Sequence, residues 1–159
     1  MNGKNKIPIL YLEDNAADVN LMKQMLTDSS IRYDLTTTSS LRSGIEIAHQ
    51  QNIQIALIDL TLSDSTGFKT LTNFLDKGPF IPVVVVTGTN NEIIGNQSVK
   101  AGAQDFLIKG AFDADLLAKS LRYSIERNSV LKRLEETQRI ANIGNWEYNP
   151  ATKVFNASD

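Results

Sequence analysis

The sequence predicts a doubly wound α/β fold, a parallel sheet with helices on both faces, and three observations carry that prediction. Five apolar runs recur at regular intervals along the 159 residues. Several of them are almost continuously apolar, as strands covered on both faces must be. The segments between them place apolar residues at helical spacing, so strand and helix alternate. That order builds a parallel sheet with right-handed crossovers.

The elements follow in order. "IPILYL" (7–12) is the first strand, and the helix after it (16–28) carries a stripe of Val19, Met22, Met25 and Leu26. "RYDLTTT" (32–38) is the second strand, followed by a helix over 41–49 with Leu41, Ile45 and Ala48 on one side. "IQIALIDL" (53–60) is the third, and the helix over 68–75 repeats the pattern with Phe68, Leu71, Phe74 and Leu75. "IPVVVVTG" (81–88) is the fourth; the helix after it (91–101) is weaker, with Ile94 and Val99 among polar residues. "QDFLIKG" (104–110) is the fifth, and a last helix starts near Asp113.

Beyond Asn128 the composition changes. "SVLKRLEETQRIANIG" is rich in Lys, Arg, Glu and Gln, with Val130, Leu131, Leu134 and Ile140 as its apolar minority. The last helix is expected to run on through this stretch as a linker over 128–143, past any surface the five-stranded domain covers. Such a helix serves as a connector or a coiled-coil partner. Ser124, Arg127 and Asn128 interrupt the heptads, and a homodimer through this helix is the expectation carried forward. The tail "NWEYNPATKVFNASD" reads as strand, turn, strand, with Asn149-Pro150 as the turn.

Composition narrows the function. Apolar content of 42% and charged content of 21% are ordinary for a globular protein. The net charge is −2, and no patch of Lys and Arg stands out, which argues against nucleic-acid binding through a basic surface. Cysteine is absent, which excludes disulfides, thiol nucleophiles and zinc–thiolate sites. "MNGKNKIPIL" lacks the apolar core of a signal peptide, and no run approaches the length of a membrane span, so the expected setting is the cytoplasm without membrane contact.

In doubly wound sheets, the loops at the carboxyl ends of the strands carry the site. The first strand delivers Glu13 and Asp14 there, the third Asp59, the fourth Thr87 and the fifth Lys109. Taken singly, each has a bland reading: Asp14 or Asn15 as a helix cap, Asp59 likewise, Thr87 as a strand-end hydroxyl, Lys109 as a surface charge. Taken together, three acids, one hydroxyl and one lysine converge on one edge of the sheet. Two carboxylates about 4 Å apart repel by roughly 4 kcal/mol at an effective dielectric near 20. A third acid requires either a cation or a proton. A hard divalent ion with oxygen ligands fits, and Mg²⁺ keeps some of its waters in such a site. Carboxylates also serve as nucleophiles in phosphoryl transfer, and Asp59, on the central strand with loop residues after it, is the best candidate.

These motifs resemble one family in particular. "YLEDN", "LIDLTLSDSTG", "VVVVTGT" and "AGAQDFLIKG" stand in the order and spacing of a response-regulator receiver domain of two-component signalling, over residues 5–127. The resemblance implies a flavodoxin-like sheet of strand order 2-1-3-4-5. It implies that Asp59 accepts phosphate from the phosphohistidine of a histidine kinase or phosphotransfer protein. Glu13, Asp14 and Asp59 would hold Mg²⁺ with the Thr61 backbone carbonyl, and Thr87 and Lys109 would contact the phosphoryl group. Phe106 matches the aromatic switch position that answers Thr87; core packing is its alternative role. Such a module is not a conventional enzyme, although it promotes its own phosphorylation and dephosphorylation.

The chain departs from the family pattern at Gly110, where proline commonly follows the lysine, and at Ser63, another common proline position. A trans bond is expected before Gly110, since a cis bond before a non-proline residue costs about 3–4 kcal/mol. Ser63 is expected to loosen its loop. Thr61 and Thr89 occupy positions that tune phosphate lifetime in the family. The tail, "RIANIGNWEYNPATKVFNASD", is similar to the opening of a PAS sensory domain, and residues 144–159 are too few to form one.

Rival readings have less behind them. His49, the only histidine, sits in "EIAHQQN" as a solvated helix residue. An aspartyl-nucleophile phosphatase or mutase would carry an Asp where Thr61 stands. A flavodoxin-type FMN site is disfavoured by the acids of "EDNAAD", and no P-loop or G-x-G-x-x-G motif is present. The remaining alternative is a receiver-like module for interaction or dimerisation that works without phosphorylation.

Overall fold

The computed structural model describes residues 5–88, 92–144, 146–149 and 154–157. Strands β1 (Ile7–Leu12), β2 (Tyr33–Thr38), β3 (Ile55–Ile58), β4 (Val83–Thr87) and β5 (Asp105–Ile108) alternate with helices α1 (Ala16–Asp28), α2 (Leu41–Gln50), α3 (Phe68–Lys77), α4 (Glu92–Ala101) and α5 (Ala114–Gly144). The strands form one sheet in the order β2-β1-β3-β4-β5, and all four neighbouring pairs are parallel. The chain starts in β1, moves outward to β2, then returns past β1 to β3. The strand order therefore reverses between β1 and β3, the place where such sheets open a crevice.

The continuous apolar runs have a simple cause. Successive strand residues point to opposite faces, and both faces are covered. Ile9 and Tyr11 of β1, Ile55 and Leu57 of β3, and Val84 and Val86 of β4 pack with Met22 and Leu26 of α1 and Leu117 and Leu121 of α5. The alternate residues, Leu10 and Leu12, Ala56 and Ile58, and Val83 and Val85, pack with Leu41 of α2 and Leu71 and Phe74 of α3. Each Val, Ile or Leu fully buried in this way contributes about 1.5–3 kcal/mol.

The helix starts are local. Asn15 caps α1, its side-chain oxygen accepting from the N–H groups of Ala17 (2.9 Å) and Asp18 (3.2 Å). Of the two candidate caps, the structure uses Asn15. Ser40 caps α2 by accepting from Ser43 N–H. His49 on α2 is exposed, with Nε2 2.7 Å from the carbonyl of Lys77 at the end of α3.

By its own contacts the chain divides into two compact units, 1–125 and 126–159. Helix α5 continues to Gly144. In the second unit, Val130, Leu131, Leu134 and Ile140 are exposed, and β6 (Trp146–Asn149) pairs antiparallel with β7 (Val154–Ala157). The Asn149-Pro150 turn and Thr89 fall outside the described residues.

One close approach sets the seat of α2. A Cβ added at Gly44 would come 2.7 Å from Cγ of Leu12 and nearer still to one of its methyls, and Leu12 is fully buried. Gly44→Ala should therefore destabilise the fold by up to about 2 kcal/mol in urea denaturation, because overpacking (about 1–3 kcal/mol) is offset by a helix-propensity gain of only about 1 kcal/mol.

Candidate functional site

The alternation that builds the core also aims the polar residues. Counting by twos, Ile9 and Tyr11 lead to Glu13, Ile55 and Leu57 lead to Asp59, and Leu107 leads to Lys109, all toward the α1/α5 face. The register places Leu12 of β1 opposite Ile58 of β3, so the two acids that follow, Glu13 and Asp59, are neighbours. Lys109, one residue past β5, reaches across to both. Its ammonium donates to Glu13 Oε2 at 2.6 Å and to Asp59 Oδ2 at 2.7 Å.

A third carboxylate completes the set around Lys109, and sequence reasoning missed it. Asp18, in the first turn of α1, accepts from Lys109 Nζ at 2.8 Å. An available signal was its spacing: Asp18 lies one helical turn past Asp14, on the helix that starts at this same sheet edge. The three acids differ in depth. The Glu13 side chain is 1% exposed, that of Asp59 10% and that of Asp18 32%, so the last stands at the rim.

The remaining bonds hold the acids in place. Glu13 accepts from the Tyr11 hydroxyl (3.1 Å) and from Asn15 N–H (3.0 Å). Asp59 Oδ1 accepts from Thr61 N–H at 3.0 Å. Burial raises the Glu13 pKa, and the Asp59 carboxylate adds to the rise, while the Lys109 hydrogen bond pulls it back only in part. Burial also raises the Tyr11 hydroxyl well above its ordinary range, and Glu13 raises it further. For Lys109, burial lowers the pKa, but the carboxylates of Asp18, Asp59 and Glu13 outweigh it and hold the ammonium charged.

Glu13, Asp14 and Asp59 each offer a carboxylate oxygen, and these oxygens lie within 4.8 Å of one another. An all-oxygen donor set with one exposed member suits a hard divalent cation that retains water. Three carboxylates in this cluster stand against the one ammonium of Lys109, so the residues present fit such an ion. Beside them opens a cavity of about 420 Å³, lined among others by Asp59, Thr61, Thr87, Lys109, Phe68 and Gln97. Of the residues singled out from sequence, Glu13, Asp14, Asp59, Thr61, Thr87 and Lys109 thus meet at one edge.

Phe106 stands apart from that cluster. It packs half-buried with the core on the α2/α3 face, its ring lying over Gly95 of α4 where any Cβ would overlap it. Thr87 shares that face by register, since Val83 and Val85 precede it by twos.

The two departures from the family pattern have structural answers. No described peptide bond is cis, in line with the expectation for Lys109–Gly110. Gly110 has φ +82°, which proline, locked near −65°, does not adopt. The expectation that Ser63 loosens its loop is not met. Ser63 Oγ donates to the Ser39 carbonyl at 2.9 Å, and Asp64 accepts from the first N–H groups of α2, Leu41 at 2.7 Å and Arg42 at 3.0 Å. Hydrogen bonds thus do the tethering.

Residues 9–122 match the family model described as "Response regulator receiver domain". The regulatory protein LuxO of Vibrio cholerae is 32% identical over 121 residues, which are 76% of this chain and 26% of that protein. The transcriptional regulatory protein ZraR of Escherichia coli is 26% identical over 121 residues, 76% of this chain and 27% of that protein. The chain therefore spans only 26% to 27% of the length of these curated relatives. Among solved structures, the signal receiver domain of a putative LuxO repressor protein from Vibrio parahaemolyticus superposes with a TM-score of 0.67 at 26% identity, covering 82% of this chain and 98% of that one. A CheY-like receiver domain protein from Methanospirillum hungatei superposes with a TM-score of 0.64 at 23% identity over 79% of this chain and 98% of that one, a likeness of fold.

The Asp64 tether has a pH signature. Partial desolvation pushes its pKa up, but the Arg42 and Leu41 N–H groups outweigh that and hold it below the ordinary carboxylate value. A depressed carboxyl contributes stability above its unfolded pKa, near 3.9, and the contribution fades as pH falls through the folded value. Asp64→Ala should lower stability by about 0.5–1 kcal/mol at pH 7, the low end for a lost helix cap because the group is exposed, with the gap closing as the pH falls below the unfolded value near 3.9. Urea titrations of both proteins at several pH values measure this.

Proposed function

The chain belongs to the response regulator receiver domain family, and from that premise we propose that it takes a phosphoryl group onto Asp59 from the phosphohistidine of a histidine kinase or phosphotransfer protein. The observation that carries this reading is the setting of Asp59. It stands at the tip of the central strand, with Oδ1 held by Thr61 N–H and Oδ2 by Lys109, at the edge of a cavity that Thr87 also lines.

The chemistry is a displacement at phosphorus. An Asp59 carboxylate oxygen forms the new P–O bond as the P–N bond to the donor imidazole breaks; the leaving nitrogen keeps the electron pair, and the imidazole departs neutral with its proton on the other ring nitrogen. Charge in such a transfer gathers on the equatorial oxygens, so positioning and neutralisation do most of the work. Lys109 meets one oxygen as its contact with Asp59 is released, and the Thr87 hydroxyl meets another. Glu13, Asp14, Asp59 and the Thr61 carbonyl would hold Mg²⁺, which supplies further neutralisation when bound.

The added group brings about −1.5 to −2 charge and three acceptor oxygens to the edge of the sheet. Thr87 is drawn toward it, and Phe106 on the same face repacks against α4. That repacking is the signal, because only contacts that differ between the two states shift their populations. In this reading residues 5–127 form the receiver and 128–143 the linker. The linker's exposed Val130, Leu131, Leu134 and Ile140 pair with a second copy, and 144–159 begin a PAS-like domain.

Incubation with acetyl phosphate and Mg²⁺, followed by intact-mass measurement, tests the acceptor. The wild type should gain one phosphoryl group and Asp59→Asn none; EDTA should abolish the gain. Equal absence of label in both proteins would overturn the proposal.

A further inference from the structure

Lysine has three donors, and Lys109 uses each on a different carboxylate, Glu13, Asp59 and Asp18. These partners are not equivalent. Glu13 and Asp59 belong to the oxygen cluster suited to a cation, and Asp18 does not. Asp59 is also the residue whose charge changes on phosphorylation. Asp18 is the one carboxylate of the three that neither the cation nor the phosphoryl group engages, and it reaches the ammonium from a separate element, α1, at the rim of the site.

We propose that Asp18 is a positioning residue for phosphoryl transfer: it anchors the Lys109 ammonium beside Asp59 and keeps it there while the Asp59 oxygen is consumed. This rests on the reading of Asp59 as phosphoacceptor. Lys109 borders a small cleft lined also by Asp18, Tyr11, Met22, Val86 and Phe112, mostly apolar side chains, so carboxylates are what fixes the ammonium. Without Asp18 the ammonium has no rim contact, and as its contact with Asp59 is released the deeply buried Glu13 is the one carboxylate of the three left to hold it while it turns to the incoming group. The plainer role for Asp18 is an acid in the first turn of a helix, which would support α1 and leave the reaction untouched.

The test compares wild type, Asp18→Ala, Asp18→Asn and Asp18→Glu. Phosphorylation by acetyl phosphate at saturating donor and Mg²⁺ should be roughly ten-fold slower in Asp18→Ala and Asp18→Asn, a fraction of the hundred-fold that misplacing a catalytic group costs. Asp18→Glu, which restores the charge, should recover most of the rate. Mg²⁺ affinity, followed by backbone amide shifts without phosphodonor, should stay close to wild type. The side-chain ¹⁵N signal of the Lys109 ammonium, protected by three ion pairs in the wild type, should broaden in Asp18→Ala. A wild-type rate and an unchanged ammonium signal in Asp18→Ala would overturn the proposal, as would a loss of Mg²⁺ affinity matching the loss of rate. Lowered thermal stability alone, with normal rates, would assign Asp18 the helix-supporting role and also overturn it. Absence of label on the wild type itself would instead bring down the phosphoacceptor reading on which this one stands.

Discussion

One ammonium among carboxylates is the interaction on which the site depends. Glu13 and Asp59 are nearly buried, adjacent in register and alike in charge, an arrangement that a fold does not sustain unaided. Lys109 resolves it from across the sheet. Three strands and a helix are thereby tied together at their ends, since β1, β3, β5 and α1 each contribute one charged partner. Breaking a buried pair of this kind by removing one partner costs on the order of 3–5 kcal/mol, because the other charge stays behind. The same cluster that is chemically useful is thus mechanically central.

The two-residue period of the strands divides the site between the faces of the sheet. Glu13, Asp59 and Lys109 continue the positions that pack on α1 and α5. Thr87 and Phe106 belong with the positions that pack toward the α2/α3 side, with Phe106 against α4. The cluster around Lys109 thus lies on one face and Phe106 on the other, while Thr87 at the end of β4 lines the cavity beside Asp59.

The chain also shows how a pattern can be met by different means. Where proline would stiffen the loop after Asp59, Ser63 and Asp64 tether it to Ser39 and to the start of α2. Where proline would follow Lys109, Gly110 takes a left-handed turn instead. Covalent restraint is exchanged for hydrogen bonds in one place and for backbone freedom in the other.

Much of this was legible from the residues in order. Alternation of apolar runs with helical stripes determined the class of fold, because both periods report burial directly, and the strand-end rule picked out Glu13, Asp14, Asp59, Thr87 and Lys109. What the sequence could not state was which charge meets which. The partner of Lys109 on α1 is 91 positions away, and the spacing of Asp18 from Asp14 brings it to the same edge without saying which charge it meets. The hydrogen bonds of Ser63 and Asp64 were missed for the same reason, since their partners lie 22–24 positions back. Periodicity is a property of neighbours along the chain, and so the sequence by itself determined the elements and the edge where they deliver their polar residues. Ion pairs and tethers are properties of neighbours in space, and only the packed sheet decided those.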